Sequence, residues 1–189
     1  TATFDMSAGG NNTFVAGSNA ASSGSLSYTG GSGDDSLTFG PNLVLEGGTG
    51  TFDMSLGGNN TFVAGISAAS SSGSIVYTGG SGDDSLMFGG DLAYGGSATL
   101  DLGDDTAADI VTFLGTIGDN GGTVTIKNFN FNHDTIDVEL GVSATAAEIA
   151  DASGDLTWTD SGGSHTIVFE GIDTGGTGVT ATTAQLLAD

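Results

Sequence analysis

The chain is 189 residues long, with 35 Gly, one Pro and no Cys, and it sets 23 Asp and Glu against a single Lys or Arg, Lys127, for a formal net charge of −22. That balance excludes a nucleic-acid binder that works by neutralising phosphates and a basic helix lying on a membrane; the lack of Cys excludes a disulfide scaffold and thiolate metal sites. No apolar run reaches the roughly 18 residues of a spanning helix, so no membrane insertion is expected, and no signal peptide is visible in a sequence that begins without Met. So much charge and glycine would suit a disordered chain, but 37% of the residues are hydrophobic and they recur on a pattern.

The pattern is a repeat. FDMSAGGNNTFVAG (Phe4 to Gly17) returns as FDMSLGGNNTFVAG (Phe52 to Gly65), and TGGSGDDSLTFG (Thr29 to Gly40) returns as TGGSGDDSLMFG (Thr78 to Gly89). The underlying unit is half as long: Asn12, Asp35, Asn60, Asp84, Asp109 and Asp134 hold equivalent places at separations of 23, 25, 24, 25 and 25. Two residues after each stands an apolar side chain: Phe14, Leu37, Phe62, Leu86, Val111 or Ile136. Each coil opens with an alternating strand pattern. The inward residues are Ala2, Phe4 and Met6, then Leu26/Tyr28, Phe52/Met54, Ile75/Tyr77, Leu100/Leu102 and Val124/Ile126. A second strand follows the Asp or Asn, with inward pairs Phe14/Ala16, Leu37/Phe39, Phe62/Ala64, Leu86/Phe88, Val111/Phe113 and Ile136/Val138. The third side varies, polar in the first coil and apolar at Leu43/Leu45 in the second. The expected fold is all-β: a parallel β-solenoid of about six coils of about 24 residues, over about residues 1–142, each coil resting on its neighbours. Corner glycines are expected to supply positive φ.

The turn between the two strands carries the chemistry. GGSGDDSLT (Gly30 to Thr38) and GGSGDDSLM (Gly79 to Met87) match the nonapeptide of Ca²⁺-binding β-helix repeats. Glycines at 31, 33, 80 and 82 (Gly31, Gly33, Gly80, Gly82) let the backbone turn its carbonyls inward, and Asp35 and Asp84 add hard anionic oxygens. Asp109 and Asp134 repeat the acidic position, while Asn12 and Asn60 keep only an amide oxygen. Two carboxylates about 5 Å apart repel by roughly 3 kcal/mol at an effective dielectric of ~20, so cations between the rungs are expected. Ca²⁺ suits an irregular carbonyl-rich cage better than Mg²⁺, and zinc lacks ligands, with only His133 and His165 and no Cys.

After about residue 142 the period breaks. Ser143 to Ala152 reads as a short helix capped by Ser143, and Leu156–Trp158 with His165–Phe169 as a hairpin. Residues 143–189 would thus cap the last coil's strand edges, while the first coil leaves an edge for further coils, another domain or another subunit.

At the nonapeptides the sequence resembles the RTX (repeats-in-toxin) family of calcium-binding, type I-secreted bacterial proteins, over most of its length. TVTIKNFNFNHDTIDVEL (Thr123 to Leu140) is similar to the segment that often closes RTX arrays, and HTIVFEGID with TATTAQLLAD to that family's uncleaved C-terminal export signal. The resemblance implies a chain that stays unfolded inside the cell and folds with Ca²⁺ after release. The coils here differ in having about 24 residues and one acidic turn, where tandem nonapeptides give about 18.

No catalytic motif is present: no G-x-S-x-G, H-E-x-x-H or P-loop. His133 reads as an exposed turn residue, His165 and Trp158 as structural, and the repetition of Asp34/Asp35 favours metal over glycoside chemistry. An outward column of Thr and Ser, from Thr1 and Thr3 to Thr123 and Thr125, is similar to the faces of ice-binding solenoids, although Thr also simply suits exposed strands. The expected function is a non-catalytic, Ca²⁺-stabilised extracellular structural module of a surface-layer, matrix or adhesin-like protein that self-associates into a lattice or filament. The alternative is the folding and secretion module of a larger toxin or hydrolase.

Overall fold

The computed structural model describes residues 1–130, 132–138, 148–149, 156–160 and 163–170. Alternation of apolar and hydroxyl residues produces two strands in each coil, and like strands stack in parallel. One sheet contains β1 (Ala2–Asp5), β3 (Ser25–Thr29), β5 (Thr49–Asp53), β7 (Ser74–Thr78), β9 (Ser97–Asp101) and β11 (Thr123–Lys127). The other contains β2 (Thr13–Ala16), β4 (Ser36–Phe39), β6 (Thr61–Ala64), β8 (Ser85–Phe88), β10 (Ile110–Phe113) and β12 (Thr135–Val138). The chain is therefore a parallel β-solenoid. Five coils close three sides, and the sixth contributes its two strands.

The second strands pair in the register that the sequence implies, with Phe14, Leu37, Phe62, Leu86, Val111 and Ile136 in one column. In the first strands the register differs by two residues in coils three and five. Leu26 faces Gly50, which faces Ile75, and then come Ala98 and Val124. Met54 and Leu102, expected within the strands, are still buried but lie just past the strand ends, whereas Met6 is exposed. The column tolerates Gly50 because the neighbouring Phe52 ring fills its space: a Cβ there would come within 2.9 Å of that ring. Small residues (Gly50, Ala64, Ala98) thus alternate with rings that touch through the rod. Phe39 lies 5.0 Å from Phe52, Phe52 lies 4.9 Å from Phe62, and Phe88 stacks on Phe113 at 5.6 Å. Each fully buried ring contributes about 1.5–3 kcal/mol through lost contact with water.

The third side has no strand period, which is why the sequence shows it poorly. Leu43 and Val44 both turn inward, while Leu45 is half-buried. Isolated parallel bridges link Ala68 to Leu92 and Leu92 to Ile117. In the first coil Ala21 is buried, and its N–H donates to the Leu43 carbonyl at 2.8 Å.

Beyond β11 the first sheet continues with β15 (Gly163–Glu170), which lies parallel to β11. Then come β14 (Leu156–Asp160) and β13 (Glu148–Ile149), both antiparallel. The hairpin forms as expected. The helix expected from Ser143 does not include Glu148 and Ile149, whose backbones pair with Thr157 and Leu156; pairing to a neighbouring strand overrides a weak local helix preference. The rest of that expected helix, and the expected export signal beyond Glu170, lie outside the described residues. Lys127 binds Glu170 at 3.1 Å across β11 and β15, an exposed ion pair of small energetic weight.

Gly50→Ala crowds the Phe52 ring and should cost about 1–3 kcal/mol in denaturant unfolding. Thr51→Ala, on the outward face beside it, should change stability by less than about 0.5 kcal/mol.

Candidate functional site

The turn residues form two hydrogen-bonded ladders along the rod, one inside and one outside. The doublets Asn11-Asn12, Asp34-Asp35, Asn59-Asn60 and Asp83-Asp84 sit one above another, each following a first strand by a glycine-rich link of five residues before Asn and four before Asp. Within each doublet the backbone turns the second side chain in and the first one out. Asp35, Asn60, Asp84 and Asp109 are 1–2% exposed, whereas Asp34, Asn59 and Asp83 face solvent.

In the inner ladder each backbone N–H donates to the side-chain oxygen of the following coil. Asn12 donates to Asp35 Oδ1 at 2.8 Å, Asp35 to Asn60 Oδ1 at 3.0 Å and Asn60 to Asp84 Oδ1 at 2.9 Å. Asp84 then donates to Asp109 Oδ1 at 2.8 Å and Asp109 to Asp134 Oδ1 at 3.1 Å. The asparagines add a second donor: Asn12 Nδ2 reaches Asp35 Oδ1 at 2.8 Å, and Asn60 Nδ2 reaches Asp84 Oδ1 at 3.0 Å. The outer ladder runs the other way. The N–H of Asp34 donates to Asn11 Oδ1, that of Asn59 to Asp34 Oδ1, that of Asp83 to Asn59 Oδ1 and that of Ala108 to Asp83 Oδ1, at 2.8–3.1 Å. Asp34 and Asp35, adjacent in sequence, therefore belong to different ladders.

The glycines of the nonapeptides serve close approach rather than positive φ. A Cβ on Gly31 would come within 2.7 Å of Gly9 Cα, and one on Gly80 within 2.6 Å of Gly57 Cα. Gly33 and Gly82 lie as close to Gly10 and Gly58. The left-handed backbone belongs to the turns beneath, at Gly9, Gly10, Gly57 and Gly58. Gly31 also donates its N–H to Asp35 Oδ2 at 3.0 Å.

The Asp carboxylates are not equivalent. Asp84 receives Asn60 on Oδ1 and the Tyr77 hydroxyl on Oδ2 at 2.9 Å. Burial nevertheless pushes its pKa up, partly offset by those hydrogen bonds and one from the Gly80 N–H. Asp109 is pushed up to about 7, chiefly by burial and further by the charges of Asp134, Asp84 and Asp105. Asp134 is also raised by burial, although it accepts the Asn130 N–H at 2.7 Å and lies beside exposed His133. Asp105, which the repeat did not single out, has a buried Oδ2 without a hydrogen-bond partner. Tyr77 is driven well above its usual pKa by burial and by Asp84; its counterpart Tyr28 reaches about 12 and has no partner for its hydroxyl.

The sequence located the inner column but not the hydrogen bonds that link its residues from coil to coil. It missed the outer ladder, the Tyr77 hydroxyl and Asp105. The doubling of Asn and Asp at matching positions was the available signal for the outer ladder, since one side chain per turn would have sufficed for a single column. Among the described residues no three or more His, Asp and Glu side chains gather into a metal-holding group. Trp158 and His165 lie opposite one another across the β14–β15 hairpin.

The fold and the ladders define a parallel β-solenoid with paired internal and external Asx columns. Compared with protein-family models, curated proteins and solved structures, the chain matches none. The resemblance to RTX repeats accordingly rests on the nonapeptide residues themselves.

Asn60→Asp removes the amide donor to Asp84 and inserts a third carboxylate between Asp35 and Asp84. At neutral pH it should destabilise the rod by about 3–5 kcal/mol, and acidification should recover part of the loss. Without divalent ions the rod itself should also strengthen on acidification. Asp84, Asp109 and Asp134 hold protons more tightly folded than unfolded, so protonation favours the fold. The contribution is complete below the ordinary carboxylate pKa of 3.8 and is lost as pH rises through the folded value of about 7 at Asp109. Thermal melts in chelator should give a higher Tm at about pH 5 than at about pH 8; the reverse order would show that these carboxylates are ionised in the fold without penalty.

Proposed function

We propose that this chain is a non-catalytic structural rod that works outside the cell, is stabilised by Ca²⁺ and associates with copies of itself, in the manner of a surface-layer, matrix or adhesin-like protein. The observation that carries this reading is the ladder. Coil after coil, the polar side chains of the turns hold one coil on the next instead of gathering round a cleft. A repeated unit whose contacts are all to its neighbours transmits rigidity along an axis, which suits a load-bearing or spacing element.

The fit to Ca²⁺ differs along the rod. Asp35 and Asp84 have both carboxylate oxygens turned to N–H or O–H donors, which leaves little for a cation. The turns of coils five and six suit one better. There Asp105 has a buried oxygen without a partner, and Asp109 and Asp134 stand in successive coils without an intervening Asn. Asp105 and Asp109 would offer the carboxylates, and backbone carbonyls of the turns would supply most of the six or more oxygens that Ca²⁺ takes. A bound Ca²⁺ supplies the positive charge that Lys127 alone cannot. The resemblance to RTX repeats is the basis for placing the protein outside the cell, where modules bind Ca²⁺ in the range of about 10⁻⁴–10⁻³ M.

Calcium titration followed by circular dichroism should show a cooperative gain in β-structure or Tm within about 10⁻⁴–10⁻³ M. Asp105→Asn combined with Asp109→Asn should raise that midpoint, and Asp34→Asn, in the exposed ladder, should leave it unchanged. Electron microscopy should show ordered filaments or lattices with Ca²⁺ that disperse in EGTA. A rod equally stable in chelator and dispersed in excess Ca²⁺ would overturn the reading.

A further inference from the structure

The exposed acidic side chains are confined to certain parts of this molecule. They occupy the turn edge through the outer column at Asp34 and Asp83, one outward column of the first sheet at Asp5, Asp53 and Asp101, and the third side at Glu46, Asp91 and Asp119. The outer face of the second sheet is different. Every outward position of β2, β4, β6, β8 and β10 is Thr, Ser, Val, Met or Ile, and the first charge on that face is Asp137 in β12. Large apolar side chains stand exposed there: Val15 is 71% accessible, Ile110 45% and Met87 39%. Ile66 and Leu114 extend the patch just past the strands. In a chain of net charge −22 this is an uncharged, partly apolar strip five coils long.

We infer that the outer face of the six-stranded sheet is a lateral contact that seats the same face of a second copy of this chain. The inference rests on the proposed self-association and names the surface responsible. Charge selects the occupant. A basic partner would be drawn to the acidic turn edge, whereas a second polyanionic copy is repelled there and at the third side, so this strip is where two copies meet without opposing carboxylates. Flatness and repetition favour the same choice. Rungs about 4.8 Å apart with residues about 3.3 Å apart give an even grid, so two identical faces meet with one spacing throughout, and a two-fold relation closes the contact.

Size sets how tightly it binds. Five rungs and four residues per strand give a flat area of about 24 by 13 Å, well under the ~800 Å² per partner of a standard interface. A pair of rods therefore associates weakly, and repetition along an array supplies the strength. Since the obstacle is like charge, association strengthens as salt rises, the opposite of an ion-paired interface.

Sedimentation velocity over a range of protein concentrations tests this, with salt raised from about 20 mM to about 500 mM to shorten electrostatic reach below 10 Å. The expected result is a mass rising from 18.4 kDa towards twice that value with concentration, and more steeply in high salt. Val15→Asp with Met87→Asp, both at exposed positions, should keep the protein monomeric with an unchanged circular dichroism spectrum. Val76→Asp, outward on the opposite sheet, should leave association as it was. Association that survives the double substitution overturns the assignment of this face and leaves the structural reading standing. A monomer under every condition, with or without Ca²⁺, overturns both, and thermal hysteresis from that monomer would assign the strip to ordered water instead.

Discussion

The spacing of one coil on the next is the constraint from which this structure follows. Strand pairing fixes that spacing on two sides of the rod. In the turns, where the backbone leaves the sheet, the Asx side chains fix it. Burying a carboxylate is costly unless hydrogen bonds surround it, and here the donors are the N–H groups and Asn amides of the coil below and the N–H groups of the same turn. The arrangement satisfies backbone donors that would otherwise lie buried without partners at the corner of each coil. The acid and the amide are thus structural parts of equal standing, and the asparagines are not degenerate acidic positions.

Alternation decides where charge becomes a problem. Through the first four coils an Asn layer separates the two Asp layers, and Asp35 and Asp84 are surrounded by donors. From coil four onward Asp84, Asp109 and Asp134 follow one another directly; burial raises all three pKa values, and at Asp109 the charges of Asp134 and Asp84 raise it further. Asp105 adds a further carboxylate to that stretch. The inner column therefore has a half in which Asn layers space the carboxylates and a half in which carboxylates succeed one another directly, although the sequence spacing is nearly constant throughout.

The sequence made the coil period, both strand faces and the inner polar column legible, because each leaves a periodic trace: inward pairs such as Leu37/Phe39 and Leu86/Phe88 repeat at fixed intervals. Where the trace is indirect, the reading failed in particular ways. Gly50 occupies a core position because a ring from Phe52 fills it, and no rule about apolar periodicity points to glycine. The third side closes through single bridges such as Ala68 to Leu92, which have no period. Gly31 and Gly80 looked like turn formers, yet their role is to let the chain above lie against Gly9 and Gly57. An Asp in a glycine-rich turn looks the same in sequence whether its oxygens meet a cation or a backbone N–H.

The alternation of Asn and Asp layers has a consequence for how such a rod can lengthen. Removing the third coil alone would lay Asp35 directly beneath Asp84 and Asp34 beneath Asp83, doubling the acid in both columns at one level. Removing the second and third together would set Asn12 beneath Asp84 and Asn11 beneath Asp83, the neighbours those residues' counterparts already have. The unit that can be duplicated or lost without electrostatic mismatch is thus the two-coil block, and it is this block of 48–49 residues that recurs almost unchanged between Phe4 and Gly89. Selection on length in a molecule of this design would act in even steps.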